Sequence, residues 1–363
     1  MRERLPIYLG IFGVMALSNA IVPVLPSFAM GPALQSSVYA AYFLGAFLTV
    51  IPAGLLSDRV GRIPVIRGGL VLTVASGFLI LAAQDPYLVL GARGVEGIGA
   101  GLFVASAMSW MNTRPDHEHV SGDFMASLNL GLVIGLLGAG WLAGFLADER
   151  AGILAFTILS VLPAVVVFFT GDTGPGTRLI RKEGPGFGPA IWMHLSAVIL
   201  VGATGALTAI YPAFTGASPS FLGVSIATMN LATVITVVVA SRLHIRPIPT
   251  IRAAAILLAA AVLAILYTPA GFILVGALLG FIMIAQLAFL AESGLPQGAV
   301  MGSYNAASYL GMTLLPFVSG IVAERAGFLP AFAFIAFLAG LMALFIGRSE
   351  AGPRVPVDRG SAS

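Results

Sequence analysis

Residues 54–64, GLLSDRVGRIP, form a short, charged and glycine-spaced stretch between two long apolar runs. The flanking runs at 34–57 and 64–84 each supply the roughly 20 apolar residues that an α-helix needs to cross the hydrocarbon core of a bilayer. This stretch therefore predicts a loop that joins two membrane-spanning helices.

The whole chain has the composition of a membrane protein. Of its 363 residues, 58% are apolar and 9% are charged, and the mean hydropathy is +1.01. Since a soluble protein carries about 25% charged residues, so few charges could not solvate a folded surface of this size, and a soluble globular enzyme is excluded. The 44 glycines and 22 prolines agree with this conclusion, because both residues are more frequent in transmembrane helices than in soluble ones.

Few residue types remain for metal or nucleophile chemistry. The chain has no cysteine, which excludes disulfides, thiolate metal sites and cysteine nucleophiles. The run Asp116-His117-Glu118-His119 has metal-binding residue types, but its alternate spacing lacks the i, i+4 geometry of a helical zinc site. We therefore predict no metal and no cofactor. The basic residues behind the net charge of +3 are scattered among short loops, which favours membrane topology over nucleic-acid binding.

Apolar runs predict an all-α integral membrane protein with twelve spans in two sets of six. The runs lie at 6–25, 34–57, 64–84, 86–111, 122–147, 151–170, 189–214, 218–241, 250–268, 270–292, 297–322 and 327–347. A stretch rich in glycine and proline, with a basic cluster, separates the sets and has the composition of a linker. The predicted domains are an N-terminal six-helix bundle over 1–170, a cytoplasmic linker over 171–188, a C-terminal six-helix bundle over 189–347 and a cytoplasmic tail over 348–363.

The loop charges predict the orientation of the chain. Outside the helices, every basic residue except Arg150 and Arg325 falls on the side of the N-terminus. Because cytoplasmic loops hold the excess of Lys and Arg, both termini are predicted to be cytoplasmic in a multi-pass protein of the plasma membrane. An alternative is that the first run is a secretory signal peptide with small residues near 27–29, but its removal would destroy the even count of two equal halves.

The stretch at 54–64 resembles the signature between helices 2 and 3 of the major facilitator superfamily. The matching positions are Gly54, Asp58, Arg59, Gly61 and Arg62. The residue after Arg62, where the family usually has a second basic side chain, is an isoleucine. The resemblance implies the fold of that superfamily, with twelve transmembrane helices in two six-helix bundles and a substrate site between halves that rock around it.

The same resemblance implies that these five residues form a gate. In the family, the aspartate of this loop lies at the start of helix 11, and the arginines pair with acids near the loop between helices 4 and 5. The corresponding acids in this chain are Asp116, Glu118 and Asp123. The resemblance leaves open which of them pairs with Arg59 or Arg62.

Helix 4 carries two charges within a predicted membrane span. Arg93 and Glu96 are three residues apart, so they can form a local ion pair, and the cost of a charge in the membrane predicts that both face the protein interior or water. The run Arg93-Gly94-Val95-Glu96-Gly97-Ile98-Gly99 resembles the helix 4 pattern of the superfamily. Arg93 shares a helix face with Gly97 and Gly101, where another helix could pack closely. The pair is a candidate for proton coupling, or else a structural ion pair that orients helix 4.

Helix 5 is rich in glycine over 131–144. It is similar to a helix 5 motif associated with antiporters in the superfamily, but Leu136 stands where that motif has proline. This departure weakens the implied antiporter assignment. The alternative is that the glycines serve tight helix packing.

Scattered polar side chains within the spans predict a mostly apolar, nearly uncharged substrate cavity. The candidates are Asn19, Asn129, Asn230, Gln286, Tyr304, Asn305 and Ser308. The last three lie with Tyr309 on one broad stripe of helix 11. Each of the candidates could instead make an interhelical hydrogen bond.

The function predicted from these features is secondary active transport by alternating access. The substrate is expected to be a small, largely apolar or neutral molecule, exported across the lipid bilayer with proton coupling, as in drug-efflux members of the superfamily. The alternatives are import or facilitated movement of a neutral metabolite such as a sugar, a multi-spanning membrane enzyme, and a non-transporting sensor. The oligomeric state is left open.

Overall fold

A computed structural model describes the backbone of residues 4–111, 114, 116–171, 191–291 and 297–347, and their side chains except at 117, 118 and 297–301. Within these residues, twelve helices are long and apolar enough to cross a bilayer, which confirms the predicted all-helical membrane fold. Residue 171 apart, the predicted linker at 171–188 lies outside the described residues, as does the predicted tail at 348–363.

The helices are numbered here by membrane span. They are α1 Leu5–Phe28, α2 Pro32–Val60, α3 Arg62–Ala82, α4 Pro86–Met111, α5 His117–Leu146, α6 Ala151–Val166, α7 Ile191–Thr215, α8 Pro219–Ala240, α9 Pro247–Ala264, α10 Gly271–Ala291, α11 Gln297–Ala326 and α12 Phe328–Phe345. Span α1 includes a 3₁₀ turn at Val22–Val24, and α6 continues as one at Val167–Phe169. Several helices begin at proline, whose missing N–H has no intrahelical partner at that position in any case.

Two bundles result from the packing of these helices. In the first, α2 and α3 pack on α4, while α1 packs on α5 and α6; in the second, α7 packs on α11, and α10 packs on α8 and α9. The bundles meet mainly where α2 contacts α11 and where α5 contacts α8. We call the end of the molecule with the turn between α2 and α3 the Gly61 side, and the opposite end, with the turn between α1 and α2, the Gly31 side.

The turn between α2 and α3 consists of a single residue, Gly61. Residues 58–60, predicted as part of a loop, are instead the last residues of α2, and Arg62 already begins α3. Gly61 has φ 95° and ψ 158°, a conformation that only glycine adopts readily, and its N–H donates to the Ser57 carbonyl at 3.1 Å. One glycine therefore reverses the chain, and the charges of the signature extend the helix end instead of forming a loop.

Replacing Gly61 by Ala is expected to lower the free energy of unfolding by about 1–3 kcal/mol, because alanine is strained in this region of φ and ψ. The measurement is the midpoint of thermal unfolding in detergent. Gly68→Ala is the control, since a Cβ at Gly68 would meet no atom within 4 Å. Equal midpoints for the two variants would contradict the assignment of the turn to Gly61.

Helices α2 and α4 cross at backbone contact. A Cβ at Gly97 would collide with the carbonyl oxygen of Tyr42, and one at Gly45 would collide with that of Gly94. Gly101 likewise faces Thr49 and Ala46 of α2. The predicted face of Arg93, Gly97 and Gly101 thus packs closely on another helix, since small residues let backbones approach in a membrane.

The two halves share a short sequence repeat of five residues. Residues 63–67, IPVIR, correspond to residues 248–252, IPTIR. Arg67 donates to the carbonyls of Val167 at 3.2 Å and Thr170 at 2.9 Å, beyond the end of α6, and Arg252 donates to that of Ile346 at 2.9 Å, beyond the end of α12. The repeat therefore builds the same tie, from the third helix to the sixth, in both bundles.

Candidate functional site

A buried ion pair lies in the first bundle near the boundary between the bundles. Arg93 Nη1 and Glu96 Oε2 of α4 are 2.6 Å apart, with side chains 1% and 0% exposed, as the i, i+3 spacing predicts. Arg93 Nε and Glu96 Oε1 are buried and have no hydrogen-bond partner among the described residues. The pair is thus electrically neutral but leaves a free lone pair on the carboxylate and a free N–H on the guanidinium.

An aromatic cluster begins at Arg93 of this pair and reaches the other bundle. The guanidinium carbon of Arg93 lies 4.8 Å from the ring centre of Tyr42, which is within range of a cation–π interaction. Phe43 packs on Tyr42 and Tyr39 with ring centres 5.0 and 5.2 Å apart, and it lies 6.3 Å from Tyr309 of α11. Sequence reasoning missed Tyr39 and Phe43, although their i, i+4 spacing on one helix face was a signal.

Two of the predicted cavity residues belong to a hydrogen-bond chain inside the second bundle. The hydroxyl of Tyr304 donates to Gln286 Oε1 at 3.0 Å, and Gln286 Nε2 donates to Ser196 Oγ at 2.8 Å. Gln286 and Ser196 are fully buried, and Tyr304 is nearly so. The chain links α11, α10 and α7, so these side chains form interhelical hydrogen bonds.

The other five predicted cavity residues are partly exposed. They are Asn19, Asn129, Asn230, Asn305 and Ser308. The amide of Asn129 donates to the Met125 carbonyl of its own helix at 2.7 Å. That of Asn305 lies 4.0 Å from Met108 Sδ of the first bundle, so it faces the boundary between the bundles.

The signature residues lie together on the Gly61 side but make different contacts. Asp58 and Arg59 are exposed, and neither has a hydrogen bond or ion pair among the described residues. Arg62 is buried, and its Nε donates to Ser109 Oγ of α4 at 3.0 Å. A Cβ at Gly54 would meet no atom of the described residues within 4 Å, so Gly54 does not closely approach the described part of another helix.

Asp116, one of the three candidate partners for Arg59 or Arg62, forms an ion pair with Arg4. The two side chains form a bidentate ion pair, with Arg4 Nη1 2.8 Å from Asp116 Oδ2 and Nη2 3.0 Å from Oδ1. The hydrogen bonds from Arg4 hold the pKa of the Asp116 carboxyl below its usual value. Since the folded pKa is lowered, the pair stabilises the fold above the ordinary carboxyl pKa and is lost as the pH falls. Asp123 is exposed, and the side chain of Glu118 lies outside the described part.

The glycine-rich face of α5 packs against other helices along its length. A Cβ at Gly135 would collide with the carbonyl oxygen of Ala16 in α1, and one at Gly140 would lie 2.5 Å from that of Pro219 in α8. Leu136, at the position where the antiporter motif has proline, is fully buried. These contacts favour the helix-packing interpretation of the glycines.

On the Gly31 side, two hydrogen bonds join the bundles. Glu324 Oε2 of α11 accepts from the backbone N–H of Ala33 in α2 at 3.1 Å, and the Ser220 hydroxyl of α8 donates to the Gly140 carbonyl of α5 at 2.8 Å. Sequence reasoning missed Glu324 and Ser220. A cavity of about 420 Å³ lies nearby, lined by Ser27, Phe28, Ala143, Ala147, Asp148, Glu149, Arg150 and Pro219.

The sequence profile of the Major Facilitator Superfamily matches residues 7–294. An uncharacterized MFS-type transporter of Mycobacterium tuberculosis is 29% identical over 146 residues, which are 38% of this chain and 21% of that protein. The multi-drug resistance efflux pump PmrA of Streptococcus pneumoniae is 30% identical over 39% of this chain and 37% of the pump. The quinolone resistance protein NorA of Staphylococcus aureus is 25% identical over 43% and 44%. This chain thus spans less than half the length of each of these relatives.

Solved transporter structures share the fold over nearly the whole chain. A bacterial homologue of the human lysosomal transporter Spinster, in an inward-facing and occupied conformation, has a TM-score of 0.77 at 16% identity, covering 95% of this chain and 94% of that one. The nucleoside transporter NupG has a TM-score of 0.76 at 13% identity, covering 94% and 98%.

Proposed function

The chain belongs to the major facilitator superfamily, and from this premise we propose that it exports a small, largely apolar or neutral molecule by alternating access, coupled to protons. As a member of this superfamily it is a membrane transporter of small molecules and not an enzyme. The observation that carries the proposal is the neutral, buried Arg93–Glu96 pair beside the boundary between the bundles.

The charges of the interior support a neutral or apolar substrate. Among the described helices, Arg93 and Glu96 are the only Asp, Glu, Lys or Arg side chains that are less than 2% exposed, and they neutralise each other. An anionic substrate would need unpaired cationic groups to replace its hydration. The rings of Tyr39, Phe43 and Tyr309 instead offer apolar faces between the bundles.

The geometry of the pair supports proton coupling. Glu96 Oε1 has no hydrogen-bond partner among the described residues, so a proton can bind there without displacing another group. Protonation at Oε1 would remove the negative charge, so that Arg93 would keep a hydrogen bond to a neutral carboxyl and its contact with the Tyr42 ring but lose its counter-ion. A proton bound or released at Glu96 would therefore change which arrangement of α2 and α4 is favoured, which is what coupling requires.

The signature residues are proposed to gate the Gly61 side. Both bundle-joining hydrogen bonds named above lie at the Gly31 side, whereas Asp58 and Arg59 are exposed at the other end. We assign this conformation to the state that is open toward the Gly61 side, because Asp58 and Arg59, two members of the proposed gate of Gly54, Asp58, Arg59, Gly61 and Arg62, make no ion pair among the described residues.

The Gly61 side is proposed to be cytoplasmic and the membrane to be the plasma membrane. Described arginines outside the middle of the helices lie mostly on that side, at positions 4, 59, 62, 67, 114, 242, 246 and 252, against Arg150 and Arg325 on the Gly31 side. Cytoplasmic segments carry such an excess. Similarity to two efflux proteins over part of the chain supports export.

A second candidate function is facilitated movement of a neutral, hydroxyl-rich metabolite such as a sugar. The partly exposed amides of Asn19, Asn129, Asn230 and Asn305 favour it, because amides can both donate to and accept from hydroxyl groups. The replacement of the antiporter motif's proline by Leu136 is also compatible with this candidate.

A thermal-shift screen is expected to separate the two candidates. Neutral hydrophobic drugs, lipophilic cations and sugars are each added to the purified protein at pH 6 and pH 8. Under the export proposal a hydrophobic compound raises the unfolding temperature with a pH-dependent affinity, since a ligand at 100 times its Kd stabilises by about 2.7 kcal/mol.

Flux of the stabilising compound is then measured in proteoliposomes with and without an imposed pH gradient. Gradient-driven flux would support proton-coupled export. Stabilisation by sugars alone, with flux that ignores the gradient, would favour the facilitator. Protein that binds a compound but gives no flux with either driving force would contradict both.

A further inference from the structure

We propose that Glu324 is a positioning residue for transport, which holds the Gly31 side closed by capping α2 across the boundary between the bundles. The inference rests on the proposed alternating-access function. Nothing in the signature or in the Arg93–Glu96 pair points to this residue, which lies at the far end of α11 from Asn305.

Helix α2 lacks a cap of its own. Its N-cap residue is Gly31, with φ 78° and no side chain, and no side-chain cap hydrogen bond is present there. Pro32 begins the helix and has no N–H, so the N–H of Ala33 is the first free amide. Such amides carry the positive end of the helix dipole and need an acceptor.

Glu324 supplies that acceptor from the other bundle. Its Oε2 lies 3.1 Å from Ala33 N, and it would lie 3.0 Å from a Cβ at Gly31. A hydrogen bond from an amide to a carboxylate is stronger than one to a neutral acceptor. One turn earlier in α11, Gly320 packs against Ser36 and Pro32, so the end of α11 rests on the start of α2.

A second repeat within the chain identifies a natural comparison for Glu324. Residues 149–152 and 324–327 are both ERAG. The first ERAG follows the end of α5 and the second forms the end of α11, and both of these helices meet the opposite bundle. Glu149 lines cavities with Pro219 at the start of α8. It is exposed and makes no hydrogen bond among the described residues.

The difference between the two glutamates follows from the helices that they face. Helix α8 has Ser218 at its N-cap, and the Ser218 hydroxyl accepts from Phe221 N at 3.4 Å. It therefore needs no acceptor from the first bundle, whereas α2 does. As a result the α5–α8 contact is held by the neutral Ser220–Gly140 bond, and the α2–α11 contact by a charged one.

The transporter cannot open on the Gly31 side without breaking the Glu324 cap. Separation of α2 from α11 removes the only charged hydrogen bond that crosses the boundary on that side among the described residues. Glu324 is exposed, so water can replace the lost bond. The cap therefore biases the equilibrium between the two open states without locking it.

The test uses the absence of cysteine from the chain. Ser36→Cys places one thiol in the α2–α11 contact, where Ser36 is fully buried and its hydroxyl has no hydrogen-bond partner among the described residues. The purified Ser36→Cys protein is reconstituted in proteoliposomes. A membrane-impermeant maleimide is added to each side of the membrane in turn, without substrate or gradient.

Glu324→Ala is expected to raise the labelling rate from the Gly31 side roughly fivefold, as the loss of one charge-assisted hydrogen bond implies. Glu324→Gln, which keeps an acceptor oxygen, should give a smaller rise. Glu149→Ala is the matched control and should leave the rate unchanged. A rate in Glu324→Ala equal to that in Glu149→Ala would overturn the proposal.

A second pair of variants and a comparison of labelling with flux make the outcome unambiguous. If Glu324→Ala does not fold by size exclusion, the Glu324→Gln and Glu149→Gln variants decide the proposal in the same way. Because labelling needs no substrate, it separates this inference from the proposed function: a labelling shift without flux contradicts only transport, and flux without a labelling shift contradicts only the cap.

Discussion

Replacing Glu96 by Gln is expected to flatten the pH dependence of transport and to slow gradient-driven flux by about tenfold or more. A tenfold slower flux corresponds to a rise of ~1.4 kcal/mol in the activation free energy of the rate-limiting step. Glutamine preserves the size of the side chain but can neither bind nor release a proton. It also leaves the buried Arg93 without its counter-ion at 2.6 Å. The proposed shift in the arrangement of α2 and α4 then has no proton-dependent step.

The measurement is the initial rate of flux in proteoliposomes at several pH values, with the compound identified by thermal shift. Asp58→Asn is the control, because it removes a carboxylate that is exposed and makes no ion pair among the described residues. That variant should change the rate through the gate while the slope against pH is retained. A Glu96→Gln protein with the pH profile of the unmodified chain would remove Glu96 from the coupling mechanism.

Replacing Gly97 by Ala is expected to destabilise the fold by about 3 kcal/mol or more, at the upper end of the cost of overpacking. The new Cβ would collide with the Tyr42 carbonyl oxygen and lie about 3.0 Å from Tyr42 Cα. Because these are main-chain atoms, no change of rotamer can relieve the contact. The two helices must separate, which would also displace the Tyr42 ring from Arg93.

Gly94→Ala serves as the control on the same helix, three residues away. A Cβ there would meet no atom within 4 Å, and alanine is favoured over glycine in a helix by about 1 kcal/mol. The two variants are therefore expected to shift the thermal unfolding midpoint in opposite directions. A stable Gly97→Ala protein would mean that α2 and α4 do not cross at this point.

The twelve spans and the ion pair could be predicted because each depends on local sequence. The thickness of the bilayer sets the length of an apolar run, and the helical repeat brings Arg93 next to Glu96. The close packing of α4 on α2 could also be predicted from the shared face of Gly97 and Gly101.

What could not be predicted depends on how distant segments approach each other. Asp116 pairs with Arg4 because the start of α1 reaches the start of α5, which no local spacing reveals. Tyr304 lies on the predicted polar stripe of α11, but this helix contacts both α7 and α2, so the stripe alone does not tell a cavity from an interhelical bond. The signature was predicted as a loop because its charges are typical of a loop, whereas the actual turn is the single residue Gly61. One glycine among several does not mark the turn in the sequence.

The ties made by Arg67 and Arg252 have a consequence for how such a sequence can change over time. Each arginine binds main-chain carbonyls, and every residue type supplies a carbonyl. Substitutions at the accepting positions therefore leave the tie in place, while loss of either arginine breaks it. The constraint falls on one partner alone, so a search for positions that vary together would not detect it, although it fixes the third helix to the sixth in each half.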